Sequence, residues 1–285
     1  MKFKLKKKKI DLVSVSRSDF GILSNLIKKL QRDSNFNLDF IVAGSHFIKN
    51  YGNTIDEVSQ SKIKIFKKFK FKLKNDNDFS LINFNSAHIR SFGKIFSKRK
   101  YEFVILLGDR AEVLSVAFAA ILCRLPIVHI HGGEKTLGSY DDSFRHCVSK
   151  LSSLHFVTNE IYKKRLIQIG EDTKKIFNVG SLALEKINNF RFLNRDQISK
   201  KFKIKCKSKN ILITFHPETN MKNNIKKQIL EIFKSLENIQ DTSFFITYPN
   251  TDNENLTIIE EINKYVKKNK NAYVIKSLGQ DYYFS

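Results

Sequence analysis

The chain alternates between two kinds of hydrophobic pattern. Short, nearly continuous apolar runs occur at 10–16 (IDLVSVS), 38–44 (LDFIVAG), 103–108 (FVILLG), 127–133 (IVHIHGG), 154–158 (LHFVT) and 176–181 (IFNVGS). Between them, at 20–32, about 80–98, 111–124, 142–152 and 159–170, apolar residues recur every three or four positions. The continuous runs predict strands buried on both faces, and the 3.6-residue spacing predicts helices that cover them. Such alternation defines a doubly wound parallel α/β unit of the Rossmann type. A polar stretch at 185–210 breaks the pattern and predicts a connection with a lead-in helix. A second set follows, with strands at 211–218, 243–250 and 272–278 and helices at about 222–236 and 253–268. The expectation is two domains, 1–184 and 185–285. The second has three predicted strands where a complete unit of this type has about five or six, so it reads as incomplete.

Composition narrows the setting. A chain of 285 residues, 41% hydrophobic and with 25 Phe, can build two real cores. Its three cysteines (Cys123, Cys147, Cys206) lie far apart, which suits a reducing cytoplasm better than a disulfide framework. No apolar run approaches the roughly 20 residues that cross a bilayer, and no signal-like apolar core follows the Lys-rich start. A membrane is not an expected partner. The net charge of +23 raises the question of nucleic acid. The lysines, however, are scattered among abundant Ile, Asn and Phe, the bias that an A+T-rich genome writes onto tolerant surface positions. Nucleic acid is therefore not the expected partner either.

Candidate chemistry follows from the strand ends, because open α/β sheets bind ligands beyond the carboxyl ends of their strands. Arg17 follows the first run with Ser14, Ser16, Ser18 and Asp19; His46 follows the second; Asp109 and Arg110 follow FVILLG; His131 and Glu134 follow the next; Gly180 and Ser181 follow IFNV; His216 follows the first run of the second set. An Arg at a strand end beside a helix N-terminus suits a diphosphate or carboxylate. Asp109 suits either an N-cap or an acid–base group. Asp141 and Asp142 stand at a helix start, and Arg145 lies one turn beyond Asp141 on the same face. Phe144, Cys147, Val148 and Leu151 form that helix's expected buried stripe. His129 and His131 could share a strand face, but nothing completes a zinc set, so no metal is expected. The dinucleotide fingerprint and the P-loop are missing, so neither a nicotinamide cofactor nor P-loop ATP chemistry is expected, and there is no nucleophile elbow. A set of His, Asp, Glu and Arg side chains at strand ends suits proton transfer beside a phosphorylated leaving group.

The segments VSVSRSDFGIL, VAGSHFIKNYGNTIDEV, LLGDRAEVLSVAFAA, PIVHIHGGEKTLGSYDDSFRHCVSKLSSLHF, RLIQIGE, IFNVGSLAL and ITFHPET together resemble, in the same order, the hydrolysing UDP-N-acetylglucosamine 2-epimerases of sialic and nonulosonic acid biosynthesis. The resemblance implies a GT-B architecture, a UDP-sugar as partner, no cofactor and a homo-oligomer, dimer or tetramer. It implies elimination of UDP across C1–C2 to a 2-acetamidoglucal, then hydration to N-acetylmannosamine. The same chemistry on a UDP- or GDP-linked 2,4-diacetamido-trideoxy sugar is an alternative. By position it assigns Asp109, Glu134, Asp141 or Asp142, and His216 to the catalytic set. It places Arg17, His46, His131 and Arg145 with the substrate, Arg145 orienting the carboxylates. Three departures stand out. The first loop reads SVSRSDFG where the family has a Thr-Gly-Thr-Arg-Ala run, and position 131 is His where some relatives carry Glu. The sequence also ends at SLGQDYYFS, before the family's Ser-rich loop, which makes a non-catalytic sugar-nucleotide-binding or dimerising remnant a further alternative.

Overall fold

The computed structural model describes residues 7–48, 54–73, 77–188, 190–217, 224–249, 255–275, 278 and 282–285. The beginnings of the helices expected from 222 and 253, positions 276–277 of the last expected strand, and Glu218 and Thr219 lie outside these residues. By its contacts the chain divides into two compact units, the first drawn from residues 1–48, 53–73 and 81–189, the second mainly from Phe190–Ser285.

The first unit is built on seven parallel strands: β1 (Lys8–Ser14), β2 (Phe36–Val42), β3 (Lys67–Lys68), β4 (Phe103–Leu107), β5 (Ile127–Ile130), β6 (Leu154–Val157) and β7 (Ile176–Asn178). Their spatial order is β3-β2-β1-β4-β5-β6-β7. Six of the seven coincide with the apolar runs. The exception is β3, two exposed lysines that carry no hydrophobic signal and pair with Ile41 and Val42 through the backbone alone. Helices α1 (Arg17–Arg32), α2 (Ile55–Gln60), α3 (Asp78–Phe96), α4 (Ala111–Leu122), α5 (Asp141–Leu151), α6 (Glu160–Gln168) and α7 (Leu182–Asn188) complete the unit. Alternate side chains of β1 feed two cores. Ile10 and Leu12 pack with Phe20, Leu23, Ile27 and Phe40 on one face. Val13 and Val15 pack with Ile41, Phe92, Leu106 and Val116 on the other. The polar stretch expected as a connection from residue 185 begins inside α7, where Glu185 pairs with Lys29 of α1. The strands are added outward from β1 to β3 on one side and from β4 to β7 on the other, so the winding switches sides between the parallel β1 and β4 and a crevice opens beyond the ends of those two strands.

The second unit holds α8 (Arg195–Phe202), β8 (Lys209–Ile213), α9 (Ile225–Leu236), β9 (Thr242–Thr247), α10 (Asn255–Lys268) and β10 (Ala272–Ile275). Its described strands are parallel in the order β10-β9-β8. Ile229, Phe233, Ile258 and Ile262 cover one face of this sheet against Phe244 and Ile246.

One residue of the first sheet runs against its surroundings. Asp11, in the middle of β1, is fully buried and sits in register with Asp39 of β2. Asp39 is held by Arg99 at 2.6 Å and Tyr101 at 2.9 Å, whereas neither oxygen of Asp11 has a hydrogen-bond partner. Burial, reinforced by Asp39, pushes the Asp11 carboxyl well above the usual range. A folded-state value raised in this way costs nothing below the unfolded value near pH ~4, and costs progressively more as pH rises above it. Asp11→Val is therefore expected to stabilise the protein by about 2 kcal/mol at pH 7. Urea titrations should show that gain shrinking as pH falls toward 4.

Candidate active site

The site begins where the chain leaves β5. His131 and Gly133 both take left-handed backbone conformations, at φ +65° and +75°. A Cβ on Gly133 would lie 2.4 Å from the Tyr162 carbonyl oxygen, and one on Gly132 would lie 3.0 Å from His129 Nδ1 and Ser149 Oγ. The Gly-Gly pair thus lets the turn press against α5 and α6, and Arg165 of α6 clasps it by donating to the Gly133 carbonyl.

Arg145, one turn into α5, is buried at the centre of what this turn brings together. Its Nη2 donates to the Asp109 carboxylate and to Thr136 Oγ1 at 3.3 Å. Its Nη1 donates to the His131 carbonyl at 2.9 Å and to Glu134 Oε2 at 3.4 Å. The other oxygen of Glu134 meets His131 Nδ1 at 3.1 Å and accepts from Thr158 Oγ1 at 3.3 Å. One guanidinium therefore holds two carboxylates that come from the ends of different strands. Their environments push them apart. Burial raises Asp109, and Arg145 and Arg110 only partly offset it. Burial would raise Glu134 too, but the His131, Arg145 and Thr158 contacts outweigh it and leave that carboxyl below its ordinary value.

The two aspartates at the start of α5 have separate surroundings. Asp142 Oδ1 accepts the Thr136 N–H at 2.7 Å, with His146 3.7 Å from its second oxygen, so it ties down the 134–140 loop. Asp141 Oδ2 accepts from Ser139 Oγ at 2.7 Å. Arg17 is the first residue of α1 and half-buried, directly after the Ser16 cap. His46 is fully buried, with its ring nitrogens 2.9 Å from Ser14 Oγ and Thr54 Oγ1. His216 belongs to the second unit, where it is exposed beside a cleft of about 480 Å³ lined by Phe215, Asn224, Lys227 and Gln228.

Three sequence readings change. Arg110, not Asp109, occupies the N-cap position of α4, because the Asp109 carboxylate is drawn to Arg145. The face of α5 turned inward carries Arg145, Val148 and Ser149; Cys147 is exposed, and Phe144 and Leu151 are half-buried. Burial of the arginine rotates the helix away from its apolar stripe. His129 and His131 do not share a strand face, since β5 ends at Ile130 and the backbone turns at His131. Thr136, Thr158 and Arg165 are additions to the expected set. Thr158 follows β6 directly, so the strand-end rule could have found it. Arg165 occupies an ordinary polar helix position and gave no signal.

His129 is fully buried, its ring between Ser149 Oγ at 3.0 Å and the Gly108 carbonyl at 2.8 Å. Burial pushes its pKa down to about 3. The stability carried by this neutral ring is complete above the unfolded value near pH ~6.5 and is lost as pH falls toward 3, amounting to about 2 kcal/mol at pH 5. Unfolding free energies of His129→Gln measured between pH 6 and 4 should fall less steeply than those of the unaltered chain, by about one proton.

The seven-stranded sheet, the smaller parallel sheet and the strand-end site define a GT-B-like α/β protein. The crystal structure of UDP-GlcNAc 2-epimerase from Neisseria meningitidis bound to UDP-GlcNAc shares this fold, with a TM-score of 0.79 at 22% identity over 97% of this chain and 74% of that one. A profile of the UDP-N-acetylglucosamine 2-epimerase family matches residues 28–285, and the chain belongs to that family. It is 40% identical over 282 residues to the GDP/UDP-N,N′-diacetylbacillosamine 2-epimerase (hydrolyzing) of Campylobacter jejuni, covering 99% of this chain and 73% of that protein. It is 29% identical over 258 residues to a UDP-N-acetylglucosamine 2-epimerase of Neisseria meningitidis, covering 90% and 67%. Among the described residues, no helix is long and apolar enough to cross a membrane.

Proposed function

We propose that this protein is a hydrolysing 2-epimerase of a nucleotide-linked 2-acetamido sugar. The observation that carries the reading is the Asp109–Arg145–Glu134 arrangement, two carboxyls of opposite pKa tendency on one guanidinium. Environments that push paired carboxyls apart are how a site divides acid from base work. In the first step Asp109 takes the proton from C2, the C1–O bond breaks, and its electron pair leaves with the nucleoside diphosphate as C1=C2 forms. In the second, water adds its oxygen to C1 while a proton returns to C2 from the opposite side. Asp141 or Asp142, which stand together at the start of α5, is the candidate for that second transfer. Arg145 orients the carboxylates, and Arg17, at the start of α1, serves the diphosphate, stabilising charge as it develops.

The sequence alone put UDP-N-acetylglucosamine first among substrates. The 40% identity to the Campylobacter enzyme favours a 2,4-diacetamido sugar of the N,N′-diacetylbacillosamine type instead, carried on UDP or GDP. UDP-N-acetylglucosamine remains the second reading, supported by the Neisseria relative. Incubation with each sugar nucleotide in D2O, followed by NMR, separates these readings. Release of nucleoside diphosphate with deuterium at C2 of the free sugar is expected, faster from the diacetamido substrate. Faster release from UDP-N-acetylglucosamine would reverse the substrate order. Binding without release, from well-folded protein, would overturn the enzymatic reading in favour of a non-catalytic binder.

A further inference from the structure

Four side chains of the first unit stand in one buried line: Thr54, His46, Ser14 and Asp19, with relative exposures of 6%, 0%, 0% and 5%. Thr54 Oγ1 lies 2.9 Å from His46 Nδ1, and His46 Nε2 lies 2.9 Å from Ser14 Oγ. Ser14 Oγ donates to Asp19 Oδ1. The second oxygen of Asp19 accepts the N–H groups of Val15 at 2.9 Å and Ser16 at 3.0 Å. Because the Asp19 carboxylate only accepts, the donor sense of the whole line is fixed. Ser14 gives its proton to Asp19, His46 donates to Ser14 from Nε2, and His46 Nδ1 accepts from the Thr54 hydroxyl. The ring is neutral, since burial pushes its pKa down to about 3.

Two further observations accompany this line. Thr54 stands at the N-cap of α2 yet makes no capping hydrogen bond, although a threonine there usually caps its helix. Its hydroxyl faces His46 instead. The two loops also touch through their backbones: Ser45 N–H meets the Val15 carbonyl at 2.8 Å, and a Cβ on Gly44 would lie 2.3 Å from that same oxygen. The line ends on the turn between β1 and α1, at the edge of the crevice between β1 and β4.

We infer that Thr54 and His46 are positioning residues: acting through Ser14 and Asp19, they fix the shape of Val15–Arg17 and so set the affinity for the anionic part of the nucleotide sugar. His46 thus acts behind the site, with both ring nitrogens already engaged. The inference rests on the proposed nucleotide-sugar reaction, and the test has one arm that does not.

In the full chain labelled with 15N-histidine, the His46 ring is expected at pH 7 as the neutral Nε2–H form with a hydrogen-bonded Nδ1. Thr54→Val should shift the Nδ1 resonance, and Thr54→Ser should restore it. With whichever sugar nucleotide is turned over, Thr54→Val should raise KM about tenfold, the scale of one lost buried hydrogen bond, while kcat stays within about twofold. Thr54→Ser should recover KM. An Nδ1–H tautomer, a charged ring, or an unchanged KM in Thr54→Val would overturn the inference. If Thr54→Val does not fold, His46→Gln, which keeps a donor toward Ser14, is read in its place and should show the same KM rise. If the unaltered chain turns over neither sugar, the reaction reading fails. The relay is then decided by the tautomer and its response to the two Thr54 variants, an unresponsive Nδ1 overturning it.

Discussion

Arg145→Lys is expected to lower kcat by about two to three orders of magnitude while leaving a folded protein. The guanidinium spans four acceptors at once: the Asp109 carboxylate, Glu134, the His131 carbonyl and Thr136. A lysine ammonium is a single point of charge on a flexible stem and cannot reproduce that planar fork. It can satisfy one carboxylate and leaves the other without its partner in a largely desolvated pocket. The pull of Arg145 holds down a carboxyl that burial raises, so weakening it should drive Asp109 higher. The acidic limb of the pH–rate profile, where Asp109 gains its proton, should therefore move to higher pH in Arg145→Lys. Arg145→Leu removes the charge altogether and should also destabilise the fold by about 3–5 kcal/mol, the usual consequence of stripping one partner from a buried ion pair. Steady-state kinetics across pH, alongside thermal melts, check both effects. A Lys variant with unaltered kcat would show that the carboxylates need no fork.

Gly133→Ala is expected to be at least as damaging to stability, by about 3 kcal/mol or more. Two costs combine at this position. The backbone is left-handed at φ +75°, and the new methyl group would lie 2.4 Å from the Tyr162 carbonyl. That carbonyl is backbone within α6 and cannot swing aside as a side chain would. Relief requires moving the turn away from α6, which would also carry Glu134 away from Thr158. Gly108→Ala makes a useful contrast. It shares the positive φ, at +86°, but a Cβ there would meet no atom within 4 Å. Melting temperatures should fall much further for Gly133→Ala than for Gly108→Ala, and the difference measures the contact alone.

The sheet was legible because its strands are buried on both faces and so appear as unbroken apolar runs. Polar side chains just beyond the strand ends singled out Asp109, His131 and Glu134, which the structure brings to one neighbourhood. The arrangement around Arg145 was not legible, since it joins residues 36 and 11 positions away through side chains whose reach no spacing encodes. For the same reason the inner face of α5 was read only in part: Val148 is buried and Leu151 packs on the core as the stripe required, but Cys147 is exposed and the paired Arg145 is buried. The Ser14–His46 contact depends on β1 and β2 lying side by side, which fixes two loops 32 residues apart. Asp11 was passed over because one charged residue in a strand-like run reads as tolerated, and only burial shows what it costs. Strand β3 was missed because its two exposed lysines join the sheet through their backbone.

The connection from α8 to β8 gives part of the lysine excess a local meaning. It reads KFKIKCKSK, with an exposed lysine at every other position from 201 to 209 and half-buried Phe202, Ile204 and Cys206 between the first four. Lys201 and Phe202 still belong to α8 and Lys203 takes the left-handed conformation that ends it, so the alternation straddles a helix end and is not one strand. Phe202 sets its ring against Tyr282, while every lysine of the run is exposed to solvent. A composition that looks featureless when summed over the chain thus keeps this crossing from helix to sheet wetted along one side.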